Sequence, residues 1–247
     1  MTQEEIEKRN KRHFKRISQI ANKAMKDYLM LEDGDRILIG LSGGKDSLAL
    51  VEVLAARQLI FKPKIEVVAC HISVDNVPYK SRIEYLEEFC SERGVEFIHA
   101  RTSFATDEKE GRTPCFLCSW NRRKMLFKVA EEQRCNKIAF GHHKDDIVET
   151  LLMNQIFQGA MATMPPVLKM TKIDVSIIRP LALVREKELE LLADYHNYEK
   201  QVKSCPYEKV SNRPKVREIL KLMEELNPNA VGSLWGAMTN IQKEYLP

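Results

Sequence analysis

The run from Ser42 to Ser47, Ser-Gly-Gly-Lys-Asp-Ser, places two glycines, one cation, one carboxylate and two hydroxyls within six residues. It follows a short apolar segment and opens a helical pattern. Glycines let the backbone approach an anion closely, and a helix N-terminus directs free N–H groups and a positive dipole end at that anion. The run therefore predicts a phosphate-binding loop. In that loop Lys45 adds a positive charge, and Asp46 can hold Mg²⁺ among phosphate oxygens.

Two cysteines, Cys115 and Cys118, have the spacing at which two thiolates can bind one metal centre. A third candidate, Cys205, lies far along the chain in the run Lys-Ser-Cys-Pro. The C-x-x-C pair alone is compatible with zinc, with redox chemistry or with coincidence. The other three cysteines fall in apolar strand or helix contexts, which predicts small buried side chains. They are Cys70, Cys90 and Cys135.

A pair of carboxylates, Asp145 and Asp146, follows Gly141-His142-His143 after one lysine. Phosphoryl chemistry on ATP needs Mg²⁺, and carboxylates are the ligands that this ion prefers. We therefore expect Asp46 and Asp146 to hold or position Mg²⁺ and ATP, with Asp145 as a further candidate. Acidic residues are also common at helix N-termini, where the dipole stabilises them. That alternative accounts for the acidic pair, although not for the glycine and histidines before it.

The elements that must position these residues can be read from alternating apolar runs and helical patterns. The strand candidates are 36–40, 65–71, 96–100, 137–140 and, more weakly, 175–179. The helix candidates are 47–56, 81–93, 120–133, 145–157 and 186–197, after a first helix near the N-terminus. This alternation predicts an α/β fold, a doubly wound parallel sheet with helices on both faces.

Ligands of such sheets bind at the carboxyl ends of the strands. The predicted phosphate loop follows the first strand, Ser73 and Asp75 follow the second, and the Gly141 run follows the fourth. We expect these three loops to form one nucleotide crevice, with the adenosine near Ile72, Ser73 and Gly141. His142 belongs to the same predicted ATP-binding set.

Composition narrows the class of protein. The chain has 247 residues, of which 44% are hydrophobic, enough for one α/β core and a smaller attachment. No apolar run approaches the roughly 20 residues that span a bilayer, and the charged N-terminus lacks the apolar core of a signal peptide. Six cysteines without a secretory signal favour reduced thiols or metal ligands. These features predict a cytoplasmic protein without a membrane partner.

The basic charge is concentrated at the N-terminus. Residues 1–30 carry eight basic and four acidic side chains, so their excess of four equals the formal net charge of the whole chain, +4. The same segment has an apolar stripe at helical spacing. A helix docked by that stripe would present basic residues outward, either as a contact for a phosphate backbone or simply as a solvated face. We predict three parts: the basic helix 1–30, a nucleotide-binding domain 31–160 that carries the C-x-x-C pair, and a C-terminal region 161–247 that completes the sheet and contributes Cys205.

The run Ser42–Ser47 resembles the pyrophosphate loop of the N-type ATP pyrophosphatases, which split ATP into AMP and pyrophosphate. Further motifs sharpen the resemblance. The C-x-x-C pair, the Gly141–Thr150 run, Met164-Pro165-Pro166, and Ile178-Arg179-Pro180-Leu181 followed by Arg185-Glu186-Lys187 occur in this order. Together they resemble the tRNA 2-thiocytidine synthetase family, from about residue 15 to the C-terminus.

The resemblance implies thiolation of cytidine 32 in tRNA, with ATP as co-substrate and a 4Fe-4S cluster as cofactor. The implied cluster ligands are Cys115, Cys118 and Cys205, which leave one iron open to bind hydrosulfide. The sequence departs from the family at Glu208, where a fourth cysteine is usual. The resemblance also implies a sulfur donor such as a cysteine desulfurase, and a homodimer.

On this interpretation the base O2 is adenylated, pyrophosphate leaves, and sulfur then displaces AMP from C2. The expected catalytic residues are Lys45, Asp46, Asp146 and Arg122. Arg122 and its neighbour Arg123 are candidates to neutralise the adenylate or a tRNA phosphate, although a solvated helix face is an equal alternative for each.

Three alternatives stay open from the sequence. The protein could thiolate another tRNA base, such as uridine 54, but the extra zinc-binding cysteine pairs typical of that family are absent. A ligase similar to lysidine synthetase would leave the three cysteines without a role. A non-catalytic ATP-binding protein could carry a structural zinc. Such a zinc needs a fourth ligand, which His142 or His143 could supply.

Overall fold

The computed structural model describes residues 2–75, 82–103, 114–200 and 212–245. The helices are α1 (Gln3–Asp27), α2 (Lys45–Gln58), α3 (Ile83–Ser91), α4 (Pro114–Glu132), α5 (Lys144–Gln158), α6 (Glu186–Tyr195), α7 (Arg213–Leu226) and α8 (Ala230–Ala237), before a 3₁₀ turn at Lys243–Tyr245. The strands are β1 (Asp35–Gly40), β2 (Ile65–Val74), β3 (Glu96–Thr102), β4 (Lys137–Ala139), β5 (Val167–Lys169) and β6 (Ser176–Ile178).

The six strands form one sheet in the order β3-β2-β1-β4-β6-β5. From β1 the chain moves outward to β2 and β3, and then returns to place β4 on the other side of β1. This reversal makes a switch point between β1 and β4. The loops that follow these two adjacent strands lead toward opposite faces of the sheet, which leaves a crevice at the carboxyl ends of the strands. The loop after β1 is the predicted phosphate loop, and the loop after β4 begins at Gly141.

Helices cover both faces of the sheet, which confirms the predicted doubly wound α/β fold. Alternate residues of β1 point to opposite faces. Ile37 and Ile39 pack with α1, α2, α3 and α6, whereas Leu38 packs with α4. A third, smaller apolar cluster joins α5 to α7 and α8. The basic N-terminal helix is therefore part of the main core through Ile17 and Ala21, both fully buried. The three-part division of the chain stays a prediction.

Three differences from the sequence-based expectations bear on the site and the sheet. Helix α4 begins at Pro114 and not at Trp120, so the C-x-x-C pair lies inside the helix. Strand β2 continues to Val74, because its last residues pair with β3, and Ser73 thus lies within the strand. The sheet is not purely parallel, since β5 pairs antiparallel with β6 at one edge. No pattern in the three residues of β5 distinguishes it from a loop.

Across the described residues, no helix combines the length and the apolar character that a bilayer crossing requires.

A buried ion pair joins β1 to β4 at the edge opposite the crevice. The ammonium Nζ of Lys137 lies 2.6 Å from Oδ2 of Asp35, and both side chains are buried. The same carboxylate accepts hydrogen bonds from the side-chain amide of Asn136 and from the backbone N–H of Glu32. Asp35 thus ties the start of β1 to the start of β4, the two strands that flank the switch point.

We expect Asp35→Ala to lower the free energy of unfolding by about 3–5 kcal/mol, because it leaves the buried ammonium of Lys137 without a partner. Urea unfolding of the purified variant measures this change. The matched control is Glu66→Ala, which removes the exposed partner of Arg36 and should cost only about 0–1 kcal/mol. Equal losses in the two variants would contradict a special role for the buried pair.

Candidate active site

A cavity of about 920 Å³ opens at the carboxyl ends of β1, β2, β4 and β6. It brings together residues from the phosphate loop, from the loop after β4, from α4, and from the Met164-Pro165 segment. Its lining includes Ser42, Asp46, Ser47, His71, Ile72, Cys115, Cys118, Arg122, Arg123, Gly141, His142, Asp146, Thr163, Pro165, Arg179 and Arg213. The motifs that are far apart in the sequence therefore face one shared space.

The phosphate loop turns through a positive φ at Gly43, +84°, a conformation that favours glycine. The Ser47 hydroxyl accepts a hydrogen bond from the backbone N–H of Gly43 at 3.1 Å and donates to the carbonyl oxygen of Gly44 at 2.9 Å. Helix α2 then begins at Lys45 without a side-chain cap. Its first N–H groups are thus available to an anion, as the glycine-rich sequence predicts.

The loop after β4 lies directly against the phosphate loop. A Cβ added at Gly141 would lie 2.8 Å from the carbonyl oxygen of Asp46 and 3.1 Å from the backbone nitrogen of Ser47. Real Cβ atoms do not approach backbone atoms so closely. Only glycine at position 141 therefore lets the two loops pack in this way.

The two predicted magnesium ligands share the cavity. Burial raises the pKa of Asp46, an effect that the nearby Lys45 charge only partly offsets, and the charge of Asp146 raises it further. Oδ1 of Asp46 is buried and accepts no hydrogen bond among the described residues, although Nζ of Lys45 lies 3.4 Å from it as an ion-pair partner. A divalent cation would offset both effects. Mg²⁺ is commonly bound by one or two carboxylates together with substrate phosphates, so this donor set fits the ion.

Two charged side chains near the cavity, Lys45 and Asp145, form ion pairs with other residues of the protein. Nζ of Lys45 lies 3.1 Å from Oε1 of Glu186 and 3.4 Å from Oδ1 of Asp46. Although burial opposes its charge, these carboxylates raise the pKa of Lys45. Asp145 accepts hydrogen bonds from Arg185 at 2.9 Å and from the backbone N–H of Glu186 at 2.7 Å. Asp145 thus connects α5 to the start of α6. Of the two adjacent aspartates, Asp146 is the one that lines the cavity.

Cys115 and Cys118 lie on the first turn of α4 and both line the cavity. They are the accessible cysteines of the described chain, whereas Cys70, Cys90 and Cys135 are buried, as predicted. Burial raises the pKa of Cys90 to about 12, which suits an inert core thiol. The third predicted ligand, Cys205, lies outside the described residues. Two thiols at i and i+3 on the cavity wall are a donor pair that fits an iron–sulfur cluster.

The described residues contain no group of three His, Cys, Asp or Glu side chains placed to hold a metal. This part of the chain therefore offers no zinc site built from the cysteine pair and a histidine. His143 caps α5, because its Nδ1 accepts a hydrogen bond from the backbone N–H of Asp146. Burial, followed by the charge of Arg179, lowers the pKa of His142 to about 4, so this cavity residue is neutral at pH 7.

The remaining predicted residues divide between the cavity and its surroundings. Ile72 and Arg122 line it, the latter one turn after Cys118 on α4. Ser73 does not, and its hydroxyl pairs instead with Nε2 of His99 at 2.8 Å. Gly44 and Lys45 form the base of the phosphate loop beside the cavity.

Several cavity residues were not selected as site residues from the sequence, among them Arg179, which was noted only as part of the Ile178-Arg179-Pro180-Leu181 motif. Arg179 follows β6, is 7% exposed and lines the cavity. A charged residue directly after a buried strand of a parallel sheet is a signal that could have identified it.

Comparisons with known proteins agree with this geometry. A family model for the PP-loop domain matches residues 10–223. The tRNA-cytidine(32) 2-sulfurtransferase of Alkalilimnicola ehrlichii is 35% identical over 237 residues, which cover 94% of this chain and 75% of that protein. The protein of the same name from Pseudomonas putida is 34% identical, over 94% of this chain and 86% of its own length. The chain belongs to the tRNA-cytidine(32) 2-sulfurtransferase family of PP-loop proteins.

A solved structure supports the same assignment. The U34-tRNA thiolase NcsA from Methanococcus maripaludis, with its 4Fe-4S cluster, is similar with a TM-score of 0.72. It is 26% identical in sequence, and the match covers 94% of this chain and 81% of that one. The PP-loop fold and the family resemblance noted from the motifs are thus both confirmed.

For this PP-loop protein we expect Gly141→Ala to lower kcat/KM for ATP by about 10–100-fold, because the added methyl must displace the backbone of Asp46. Steady-state kinetics with ATP as the varied substrate measures the loss. Gly236→Ala is the control, since a Cβ there meets nothing within 4 Å. Native kinetics in Gly141→Ala would mean that the packing of the two loops does not set the ATP site.

Proposed function

We propose that this protein is an ATP-dependent tRNA sulfurtransferase that replaces O2 of a cytidine, at position 32, with sulfur. The observation that carries the proposal is the shared cavity, in which the phosphate loop and the cysteine pair face the same space. Adenylation and sulfur transfer must act on one base, so their groups must be this close. A relative that thiolates U34 has a similar structure, which makes a uridine the second candidate for the target base.

The first half of the reaction uses the phosphate loop. ATP would lie over the N-terminus of α2, where Asp46 and Asp146 would hold Mg²⁺, which would help to neutralise the phosphate charge. The base O2 attacks the α-phosphorus, the bond to the β-phosphate bridging oxygen breaks, and pyrophosphate leaves. The loop N–H groups and Lys45 stabilise that leaving charge. To do so, Lys45 exchanges its contact with Glu186 for one with phosphate.

The second half replaces the activated oxygen. Cys115, Cys118 and Cys205 would hold a 4Fe-4S cluster, and that group would supply sulfur at the hydrosulfide level. A bond forms from sulfur to C2, the C2–O bond breaks, and AMP departs with the oxygen. The sulfur itself would come from a donor system such as a cysteine desulfurase. We expect the protein to work in the cytoplasm as a homodimer, in line with its family resemblance.

Mass spectrometry of tRNA nucleosides tests the proposal. A strain that lacks this gene should lose 2-thiocytidine, and the native gene should restore it. A gene with Cys118→Ser should restore no 2-thiocytidine, because one cluster ligand is missing. The control is Cys90→Ala, which changes a buried cysteine outside the cavity and should restore 2-thiocytidine fully. Asp146→Asn should bind tRNA normally but fail to release pyrophosphate.

Other results of these experiments would indicate a different substrate or a different function. Loss of a different thionucleoside would keep the mechanism and move the target base to, for example, a uridine. No change in any thionucleoside would show that the protein is not a tRNA thiolase. Iron and sulfide analysis separates the zinc alternative, in which both would be absent. Loss of iron in Cys205→Ser would support a three-cysteine cluster.

The outer face of α1 is the proposed contact for the tRNA backbone. Lys8, Arg12 and Lys15 are spaced four and three residues apart, so they lie on one face, and all three are exposed. Within the described part of the chain no carboxylate pairs with them. The opposite face is buried through Ile17 and Ala21. A cationic row fixed to the core in this way suits a phosphate backbone.

We expect the triple change Lys8→Gln, Arg12→Gln, Lys15→Gln to weaken tRNA binding and to reduce the slope of log K against log salt by about 2–3 units, since each lost phosphate contact contributes about 0.7–0.9. Filter binding at several salt concentrations measures the slope. Lys62→Gln, Lys128→Gln, Lys243→Gln removes the same charge from other exposed sites and should leave the slope unchanged. Identical slopes for both triple variants would place the backbone contact elsewhere.

A further inference from the structure

Within the part of the chain that the structure describes, Arg179 is a buried cation without a counter-ion. Its side chain is 7% exposed and lines the cavity. One guanidinium nitrogen, Nη1, donates to the carbonyl oxygen of Pro165, whereas Nε is buried and has no hydrogen-bond partner in that same part of the chain. Among the described residues, no carboxylate lies within ion-pairing distance of it. A charge taken out of water without a partner is costly, so the burial of this unpaired guanidinium needs an explanation.

The neighbours of Arg179 make its position less favourable. Burial and the charge of Arg123 both lower the pKa of Arg179. His142 also lies close, and an imidazole supplies no negative charge that could balance Arg179. The two carboxylates of the cavity face other cations, Asp46 facing Lys45 and Asp146 facing Arg213. An anion bound in the cavity is therefore the group that would balance Arg179.

The place of Arg179 in the sheet indicates which anion this is. The phosphate loop follows β1, and Arg179 follows β6, two strands away across β4. Neighbouring strands are about 4.8 Å apart, so the two points are separated by about 10 Å. Arg179 is thus displaced from the pyrophosphate end of the site toward the Gly141 loop and the cysteine helix α4. The phosphate that must lie on that side is the one that stays with the base after pyrophosphate leaves.

We propose that Arg179 binds the α-phosphoryl group of the adenylated base and of the departing AMP. This inference rests on the proposed function and names the residue that holds the reacting phosphate while sulfur displaces it. The guanidinium neutralises the AMP leaving group, and the anion in turn supplies the missing partner of a buried charge. The same chemistry would also suit a backbone phosphate of tRNA, which the experiment separates.

The test compares Arg179→Met with Arg57→Met. Arg57 is equally buried, at 8% exposed, and also donates to a proline carbonyl, that of Pro63. It lies at the C-terminal end of α2, where the helix dipole favours a cation, and it is outside the cavity. The two variants therefore remove similar side chains, one with and one without a proposed ligand.

Three results are expected. Without ligand, the Tm of Arg179→Met should stay level or rise by about 2–4 °C, because an unbalanced charge is gone, whereas the Tm of Arg57→Met should fall. Calorimetric titration should show AMP binding weakened by about 10–100-fold in Arg179→Met only, the loss expected for a charge-assisted hydrogen bond. Pyrophosphate binding should be native in both variants, since the phosphate loop is intact.

Several outcomes would overturn the proposal. A fall in ligand-free Tm with native AMP affinity would show that Arg179 only supports the Pro165 segment. A smaller salt slope for tRNA binding with native AMP affinity would assign Arg179 to a backbone phosphate. If Arg179→Met does not fold, Arg179→Lys serves instead, with weaker AMP binding and native pyrophosphate binding expected. Because AMP and pyrophosphate are measured without tRNA, failure of the proposed function and failure of this inference are distinguishable.

Discussion

The approach of the Gly141 loop to the backbone of Asp46 is the contact on which the rest of the site depends. It exists because β1 and β4 are adjacent parallel strands at the switch point, so both loops leave the sheet at the same edge. The absent side chain at Gly141 lets the second loop rest on the first. That packing brings Asp146 to Asp46, and it places His142 and the adjacent β6 around the space above the phosphate loop.

Electrostatics then divide the cavity into regions with different tasks. The uncapped start of α2 and Lys45 form one cationic end, where the leaving pyrophosphate would lie. The two aspartates form a region in which burial disfavours the ionised state of Asp46 and a bound cation would restore it. Arg179 forms a third region with an excess of positive charge. The second and third regions each contain a side chain whose charged form burial disfavours, and a bound charge of opposite sign would offset that cost.

The family assignment and the geometry support each other at the cysteines. A C-x-x-C pair has many uses, and by spacing alone it does not identify a cluster. Here both thiols belong to a helix wall that faces the phosphate loop, and a similar protein that carries a 4Fe-4S cluster shares the fold over 94% of this chain. The chemistry of base activation followed by sulfur transfer requires this shared space. The phosphate loop alone does not indicate sulfur transfer, and the C-x-x-C pair alone does not indicate base activation.

The sequence by itself determined the phosphate loop, the alternation of strands and helices, the buried thiols and the family, because these depend on local residue types and spacing. Tertiary structure alone decided the rest. The antiparallel pairing of β5 depends on its neighbour β6. Asp145 and Asp146 are adjacent in sequence, yet Arg185 engages the first and leaves the second at the cavity. Arg179 is one of many arginines until the fold buries it without a carboxylate, because charge balance is a property of the surroundings and not of the residue.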